Sequence, residues 1–325
     1  MGLQPALTKR APKLRPRTRE IDAYLPFWAG LFETGPVGAS VSPVALLVFS
    51  SLQTSGAMDQ DSRANTHTFQ ERDDSPLKKL GHVAMHALDG LYGRLSTVGD
   101  RPIHDPDIFD WTSVLEENWS VMREELDDIL QYREALPNFH DIAEDASTIS
   151  QDDDWKTFFL YGYGEKAEAN CERCPRTTEL VEQVPGMTTA FFSILSPGKH
   201  IPPHRGPYKG VLRYHLGLKV PEPAEQCRIR VADKIAYWEE GESMVFDDTY
   251  NHEVWNETDG ERAILFLDVK RPMREPVATI NDLVLRLAQH TPVVQNAREN
   301  QKQWNERLRK AENRSDGATT EPNAT

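Results

Sequence analysis

The sequence is poor in cysteine and in positive charge, and it has no long hydrophobic run. Three cysteines in 325 residues, Cys171, Cys174 and Cys227, are too few for a disulfide scaffold, so a reducing compartment is expected, with Cys171 and Cys174 as reduced thiols in a loop. The 37 basic against 51 acidic residues give a formal net charge of -14, which argues against nucleic acid as a partner. The most apolar stretch, 41–52, is shorter than the ~20 residues of a membrane span and lacks the arrangement of a signal peptide. A cytoplasmic protein without integral membrane association is therefore expected.

Helical patterns flank the middle of the chain. Residues 1–75 are expected to be poorly ordered and 1–57 to be dispensable, whereas apolar spacing predicts helices over 76–95 and 111–130 in a helical part, 76–150, that packs on a later sheet. The C-terminal part, 276–312, is helical in composition over 279–287 and 293–308. The polar end, 313–325, is expected to be a disordered tail.

The region 151–275 has the composition and residue pattern of a β-protein. Short runs rich in aromatic and β-branched residues alternate with glycine and proline. The predicted strands are 157–163, 188–195, 211–220, 228–231, 243–246 and 263–269. This spacing predicts a sandwich or barrel, and hence a mainly β fold with flanking helices.

Two histidines stand where predicted strands meet turns. His204 follows Pro-Pro, and His252 follows Asp247-Asp248-Thr-Tyr-Asn, so both side chains could converge at the mouth of a barrel. Iron oxygenases commonly add one carboxylate to two histidines, but the position two residues after His204 is Gly206. Taken alone, either histidine could equally be a surface or packing residue.

Three further cationic or titratable residues predict an anion site. Arg262 lies ten residues after His252 at the start of an apolar strand, where it could bind a carboxylate or merely solubilise the strand end. Arg213 and His215 are two apart in one strand and so share a face, opposite Leu212, Tyr214 and Leu216. Such a strand is unusual for a plain core and suits a bound anion.

The segments 204–218 and 238–255, followed by Arg262, resemble the aspartyl/asparaginyl β-hydroxylase family, and the likeness covers about 150–272. The resemblance implies a double-stranded β-helix core, jelly-roll or cupin-like, that uses Fe(II), 2-oxoglutarate and O2. In that family glycine takes the usual carboxylate position, so Gly206 fits its pattern. Position by position, the resemblance makes His204 and His252 the metal ligands.

The resemblance also implies where 2-oxoglutarate binds. Arg262 corresponds to an arginine at its distal carboxylate and Ser193 to a serine that helps to bind the same cosubstrate. Arg213 and His215 correspond to a pair near its other carboxylate, and Trp155 to an aromatic residue of the pocket. No further catalytic side chain is required. Asp247, Asp248 and Glu253 are expected to form the turn or orient His252, and Trp238 to Gly241 to form a turn before the ligand strand.

The expected activity is hydroxylation of an unactivated carbon in a peptide, an amino-acid derivative or a small metabolite, with the β-carbon of an aspartyl or asparaginyl residue as one candidate. Two alternatives stay open. One is a catalytically silent β-helix domain that binds 2-oxoglutarate or a peptide, which intact His204, His252 and Arg262 disfavour. The other is a lipid hydroxylase. The matched residues serve metal and cosubstrate, so they do not identify the substrate.

Overall fold

Two antiparallel sheets form the centre of the computed structural model, which describes residues 21–22 and 88–318. The strands are β1 (Ile21–Asp22), β2 (Ile103–His104), β3 (Trp155–Gly162), β4 (Glu165–Lys166), β5 (Met187–Leu195), β6 (His200–Arg205), β7 (Val211–Lys219), β8 (Cys227–Val231), β9 (Lys234–Tyr237), β10 (Ser243–Phe246), β11 (His252–Asn256) and β12 (Arg262–Lys270). The larger sheet has the order β2-β10-β7-β12-β5-β3-β4 and the smaller β1-β6-β11-β8-β9. The two-residue β1 pairs in parallel with β6, whereas the other strand pairs of the described residues are antiparallel.

The helices lie before, between and after these strands. They are α1 (Thr112–Glu117), α2 (Trp119–Leu130), α3 (Phe139–Ile142), α4 (Glu168–Cys171), α5 (Pro175–Val181), α6 (Val277–Ala288) and α7 (Pro292–Ala318), and residues 88–95 are also helical. Short 3-10 helices occur at Pro106–Ile108, Arg133–Ala135, Glu144–Thr148 and Ala224–Gln226. The predicted class, mainly β with flanking helices and a jelly-roll or cupin-like core, is confirmed.

The larger sheet is buried on both faces, and β7 shows how its sequence achieves this. Leu212, Tyr214 and Leu216 belong to the core cluster that the sheet forms with α2, whose Met122, Leu126 and Ile129 are buried there. The alternate positions, Arg213 and His215, face the space between the two sheets. Because side chains alternate along a strand, one nine-residue segment supplies both core and site.

Several predicted helices differ from the observed ones. The predicted helix 111–130 is divided at Asn118, which leaves helical geometry (φ -112, ψ 11) while its side-chain amide donates to the Val114 carbonyl at 2.8 Å. Asparagine competes in this way with helix continuation. Of the predicted helix 76–95, residues 88–95 are helical and 76–87 lie outside the described residues. At the C-terminus α7 continues to Ala318, so residues 313–318 are helical and the predicted disordered tail was wrong there.

The predicted strands are present with ends that differ by two residues or fewer, but β6, β9, β11 and the two-residue strands β1, β2 and β4 were missed. In β6, Pro202 and Pro203 remove two backbone donors and so mask the strand pattern. The cysteines are free, as expected, but buried. Cys174 lies in the connection before α5, as expected for a loop, but Cys171 is the last residue of α4, so the loop prediction was wrong for Cys171. Cys227 begins β8.

Candidate functional site

His204 and His252 meet across the smaller sheet. They are directly opposite each other in the antiparallel register of β6 and β11, and their ring centroids are 4.0 Å apart. Both are buried, with exposed fractions of 7% for His204 and 3% for His252. The strand pairing itself therefore brings the two rings together. This is the separation at which two imidazoles could share one metal ion.

Hydrogen bonds fix the orientation of both rings. His204 Nδ1 lies 2.8 Å from the Pro202 carbonyl oxygen, and His252 Nδ1 lies 3.0 Å from that of Tyr250. A carbonyl oxygen can only accept, so each Nδ1 carries the proton and donates it. The Nε2 lone pair of each ring is left to bind a metal, as in many histidine metal sites.

Burial keeps both imidazoles neutral. Desolvation lowers the pKa of His204 to about 4 and holds the pKa of His252 well below its usual value. A metal binds the neutral form of histidine, so protons compete little with it near neutral pH.

The Asp248 carboxylate fills the place that a side chain at Gly206 would take. A Cβ at position 206 would overlap that carboxylate, which is 1% exposed and 2.9 Å from Arg213 Nη2. Burial raises the pKa of Asp248 to about 7 against the opposing effect of Arg213. Among the residues that the structure describes, no three His, Cys, Asp or Glu side chains form a metal cluster. The candidate metal site is accordingly a pair of histidines.

Arg262 is the most unusual charge between the sheets. It is 2% exposed, its guanidinium lies 4.5 Å from the centroid of the Trp238 ring, and within the described chain neither Nε nor Nη1 has a hydrogen-bond partner. Burial lowers its pKa to about 10. A buried cation with unused donors is costly unless an anion meets it, so this arrangement is the one expected of a candidate anion site, and the burial of Arg262 excludes simple strand-end solubilisation.

Ser193 and Trp155 lie on the next two strands of the larger sheet, β5 and β3. Trp155 pairs with Leu195, and Leu195 pairs with Arg262, so the three are in register across β3, β5 and β12. Trp155 Nε1 donates to Ser193 Oγ at 3.1 Å. The indole orients the hydroxyl, whose own proton stays available to a carboxylate.

His215 and Arg213 connect the anion site with the histidine pair. His215 is 5% exposed, neither ring nitrogen has a hydrogen-bond partner in the described part of the chain, and burial lowers its pKa well below the usual value. Its ring lies 5.0 Å from those of Phe246 and Phe266. Phe246 in turn lies 5.7 Å from His252. On its other side, the His215 ring lies 5.9 Å from the Trp238 ring, which contacts Arg262. His215 thus lies between Arg262 and His252.

Arg213 is held more firmly than Arg262. It contacts Asp248 and also Asp268, whose Oδ1 is 3.2 Å from Nε, and its guanidinium lies 4.5 Å from the Phe266 ring centroid. These two carboxylates raise the pKa of Arg213 although burial opposes them. Arg213 is therefore a charged group in a fixed position next to the metal ligands.

The turn expected at Trp238 to Gly241 is present between β9 and β10, where the Glu242 N–H donates to the Glu239 carbonyl at 3.2 Å. The Trp238 side chain is nevertheless 1% exposed and forms the wall against which Arg262 lies, a contact that the sequence did not predict. One expectation about a side chain was wrong. Glu253 was expected near the metal ligands, yet it lies on the outer face, with His200 Nε2 at 2.8 Å and Arg230 Nη2 at 3.0 Å. Alternation along β11 explains this, because neighbours in a strand point to opposite faces. Phe246 and Phe266 had been read only as parts of strands.

Comparison with known proteins identifies the family of this chain. The model of the aspartyl/asparaginyl β-hydroxylase family matches residues 116–272. An ornithine lipid ester-linked acyl 2-hydroxylase from Rhizobium tropici is 44% identical over 68% of this chain and 78% of that protein. The human aspartyl/asparaginyl β-hydroxylase is 34% identical over 61% of this chain, which spans only 26% of the human protein. The chain belongs to the aspartyl/asparaginyl β-hydroxylase family.

Among solved structures, a Cupin_2 domain of an XRE family transcriptional regulator from Enterobacter cloacae resembles 35% of this chain, with 95% of that chain covered, 11% identity and a TM-score of 0.25. None of the helices in the described residues is both long and apolar enough to cross a bilayer.

Proposed function

We propose that the protein is an Fe(II)- and 2-oxoglutarate-dependent dioxygenase that hydroxylates an unactivated carbon. The observation that carries the proposal is the buried Arg262, whose guanidinium has donors without a hydrogen-bond partner in the described chain. The same interior holds two neutral histidines, and because each donates from Nδ1 to a backbone carbonyl, each Nε2 is left to bind a metal. A dicarboxylic oxo acid that also chelates a metal fits both ends of this arrangement.

The residues divide between two tasks. Arg262 and the Ser193 hydroxyl would hold the distal carboxylate of 2-oxoglutarate, since a guanidinium and a hydroxyl can both donate to it. His204 and His252 would hold the iron, with Arg213 and His215 beside the other end of the oxo acid. Iron, when bound, supplies O2 activation coupled to oxidation of 2-oxoglutarate, and the protein supplies binding and orientation.

The interior between the sheets also excludes water. Trp155, Phe159, Phe191 and Phe266 are all buried there, and Phe191 lies 4.4 Å from Phe159 and 4.2 Å from Phe266 by ring centroid. A dry, aromatic wall strengthens the ionic contacts of bound 2-oxoglutarate. It also keeps a reactive oxidant away from bulk solvent and so directs it to the substrate.

The acyl chain of an amino-acid-containing lipid is the first substrate to test. The match to the lipid hydroxylase is both higher in identity and broader than the match to the human protein, 44% over 78% of the relative against 34% over 26%. That difference favours the lipid alternative over the peptide or small metabolite expected from the sequence. An aspartyl or asparaginyl peptide is the second candidate.

The test is succinate formation by purified protein supplied with Fe(II), 2-oxoglutarate, ascorbate and O2, with ornithine-lipid micelles, an aspartyl peptide or no substrate. We expect succinate in excess over the substrate-free reaction with the lipid, and none with His204→Ala. Stimulation by the peptide alone would reassign the substrate. Binding of 2-oxoglutarate without metal-dependent succinate in any mixture would favour the silent binding domain.

A further inference from the structure

A buried cluster of charges lies at the turn between β10 and β11, next to the metal-ligand pair. Asp247 is fully buried, and its Oδ2 contacts Arg271 Nη2 and lies 2.9 Å from Lys209 Nζ. Lys209 Nζ is also 2.8 Å from Asp100 Oδ1. The Arg271 side chain is fully buried as well. The proposed binding of metal and 2-oxoglutarate assigns no task to this cluster.

The cluster joins four segments of the chain. Arg271, just after β12, donates through Nε to the Lys209 carbonyl at 2.7 Å and through Nη1 to the Gly99 carbonyl at 3.3 Å. The Asp247 backbone N–H donates to the Pro102 carbonyl at 3.0 Å. The turn that begins at Asp247 is thus fixed to the segment before β2, to the β6–β7 turn and to the end of β12.

The Asp247 carboxylate also shapes the turn itself. Its Oδ1 accepts from the Thr249 N–H at 3.0 Å and from Thr249 Oγ1 at 2.6 Å, and the Tyr250 N–H donates to the Asp247 carbonyl at 3.2 Å. The Tyr250 carbonyl is the acceptor that orients His252. An unbroken series of contacts therefore runs from Asp247 to one metal ligand.

The same turn contacts the strand that carries the other ligand. The Gly206 N–H donates to the Asp248 carbonyl at 2.7 Å, and Arg205 Nη1 donates to the Thr249 carbonyl at 3.0 Å. Both donors follow His204 directly in the chain. A displacement of this turn would move His204 and His252 relative to each other.

We propose that Asp247, clamped between Arg271 and Lys209, is a positioning residue that sets the relative placement of His204 and His252. Buried ion pairs contribute little net stability compared with apolar residues, because the desolvation of both charges offsets their attraction. The ion pairs of Asp247 with Arg271 and Lys209 instead hold the turn in one defined conformation. The inference rests on the proposed function, since it assumes that the two histidines bind a metal.

The test is Mn(II) binding, as a redox-stable substitute for Fe(II), measured by calorimetry without 2-oxoglutarate. Asp247→Asn keeps an oxygen that can accept from Thr249 but removes the charge between the two cations. We expect the Kd for Mn(II) to rise about 10- to 100-fold, the range typical for lost partners of metal ligands. Should Asp247→Asn fail to fold, Thr249→Val removes one hydrogen bond of the turn and should raise the Kd by about 3- to 10-fold.

Glu125→Gln is the matched control. The Glu125 carboxylate accepts from the Thr177 and Arg176 backbone N–H groups at 2.8 and 2.9 Å, joining α2 to α5 on the outer side of the larger sheet. Like Asp247→Asn, the Glu125→Gln substitution removes the charge of a side chain that joins two chain segments. We expect a lower free energy of unfolding and an unchanged Kd for Mn(II).

A second measurement distinguishes a role of Asp247 in positioning the histidines from a general loss of order in the site. At saturating metal, Asp247→Asn should leave the KM for 2-oxoglutarate unchanged, because Arg262 and Ser193 lie on the larger sheet away from the turn. An unchanged Kd for Mn(II) in a folded variant, or equal losses of metal and 2-oxoglutarate binding, would overturn the inference alone. Wild-type protein that binds neither Mn(II) nor Fe(II) would instead overturn the proposed function, and this inference with it.

Discussion

Replacing Arg262 with methionine should make the ligand-free protein more stable and abolish its affinity for 2-oxoglutarate. The guanidinium is 2% exposed and has unmet donors, so in the absence of an anion it is a destabilising group that the fold retains. Methionine has a similar length and is apolar, and it removes the unsatisfied charge without opening a large cavity.

The expected gain follows from the pKa. Burial lowers the pKa of Arg262 to about 10, which corresponds to roughly 3 kcal/mol against the charged form. The cation–π contact with Trp238, worth about 0.5–2 kcal/mol, is lost in the variant and offsets part of this. The free energy of unfolding should therefore rise by about 1–3 kcal/mol, or Tm by roughly 3–10 °C for a domain of this size.

The assay is urea and thermal unfolding of metal-free protein, together with calorimetric titration of 2-oxoglutarate onto Mn(II)-loaded protein. Removing one partner of a buried charge pair costs 2 kcal/mol or more, so affinity should fall by at least about 30-fold. Arg271→Met is the control, because that buried guanidinium is fully partnered with Asp247 and two carbonyls. It should destabilise the fold by about 3–5 kcal/mol, the opposite sign.

The reasoning would be refuted by an Arg262→Met variant that is less stable than the wild type, or that binds 2-oxoglutarate as tightly. The first result would mean that the guanidinium has stabilising partners in the ligand-free protein. The second would place the anion elsewhere.

Four other outcomes are expected. His204 has a pKa of about 4 in the folded protein and 6.5 as a free side chain, so between these pH values unfolding takes up a proton. The free energy of unfolding should therefore fall by roughly 3 kcal/mol from this group as the pH is lowered from 6.5 to 4. Urea titrations of metal-free protein at several pH values measure this loss. Asp248, with its raised pKa, acts in the opposite sense, so Asp248→Asn should make that acid loss steeper. Gly206→Ala should cost about 1–3 kcal/mol by overlap with the Asp248 carboxylate, measured by urea unfolding, and Asp248→Ala in the same chain should recover most of it. His252→Ala should keep its fold by circular dichroism but lose Mn(II) binding, and unchanged binding would disprove the ligand assignment.

Much of the core fold could be predicted from sequence because its strands carry strong patterns. The alternation in β7, with Leu212, Tyr214 and Leu216 on one face, fixes both the strand and the direction of Arg213 and His215. The division of the helix at Asn118 could not be predicted with the same ease. It depends on one side-chain amide finding the Val114 carbonyl, a local competition that apolar spacing does not record.

The site was predictable where chemistry is written in residue types, and less so where it depends on packing. His204, His252 and Arg262 were assigned from segments that resemble a known family, and all three side chains are buried in the structure. The turn at Trp238 to Gly241 was predicted, but only the tertiary fold lays the Trp238 ring against Arg262. The role of Asp247 likewise requires Lys209 and Arg271, which come from distant segments.

The measurement that tests the central claim most directly is anaerobic titration of 2-oxoglutarate into Fe(II)-loaded protein, followed by absorption spectroscopy for the chelate of iron with the oxo acid. The account predicts a visible absorption band in the wild type that requires both components and is absent from His252→Ala. Its absence from wild-type protein that binds Fe(II) and 2-oxoglutarate separately, or its presence in His252→Ala, would contradict the assignment of this site.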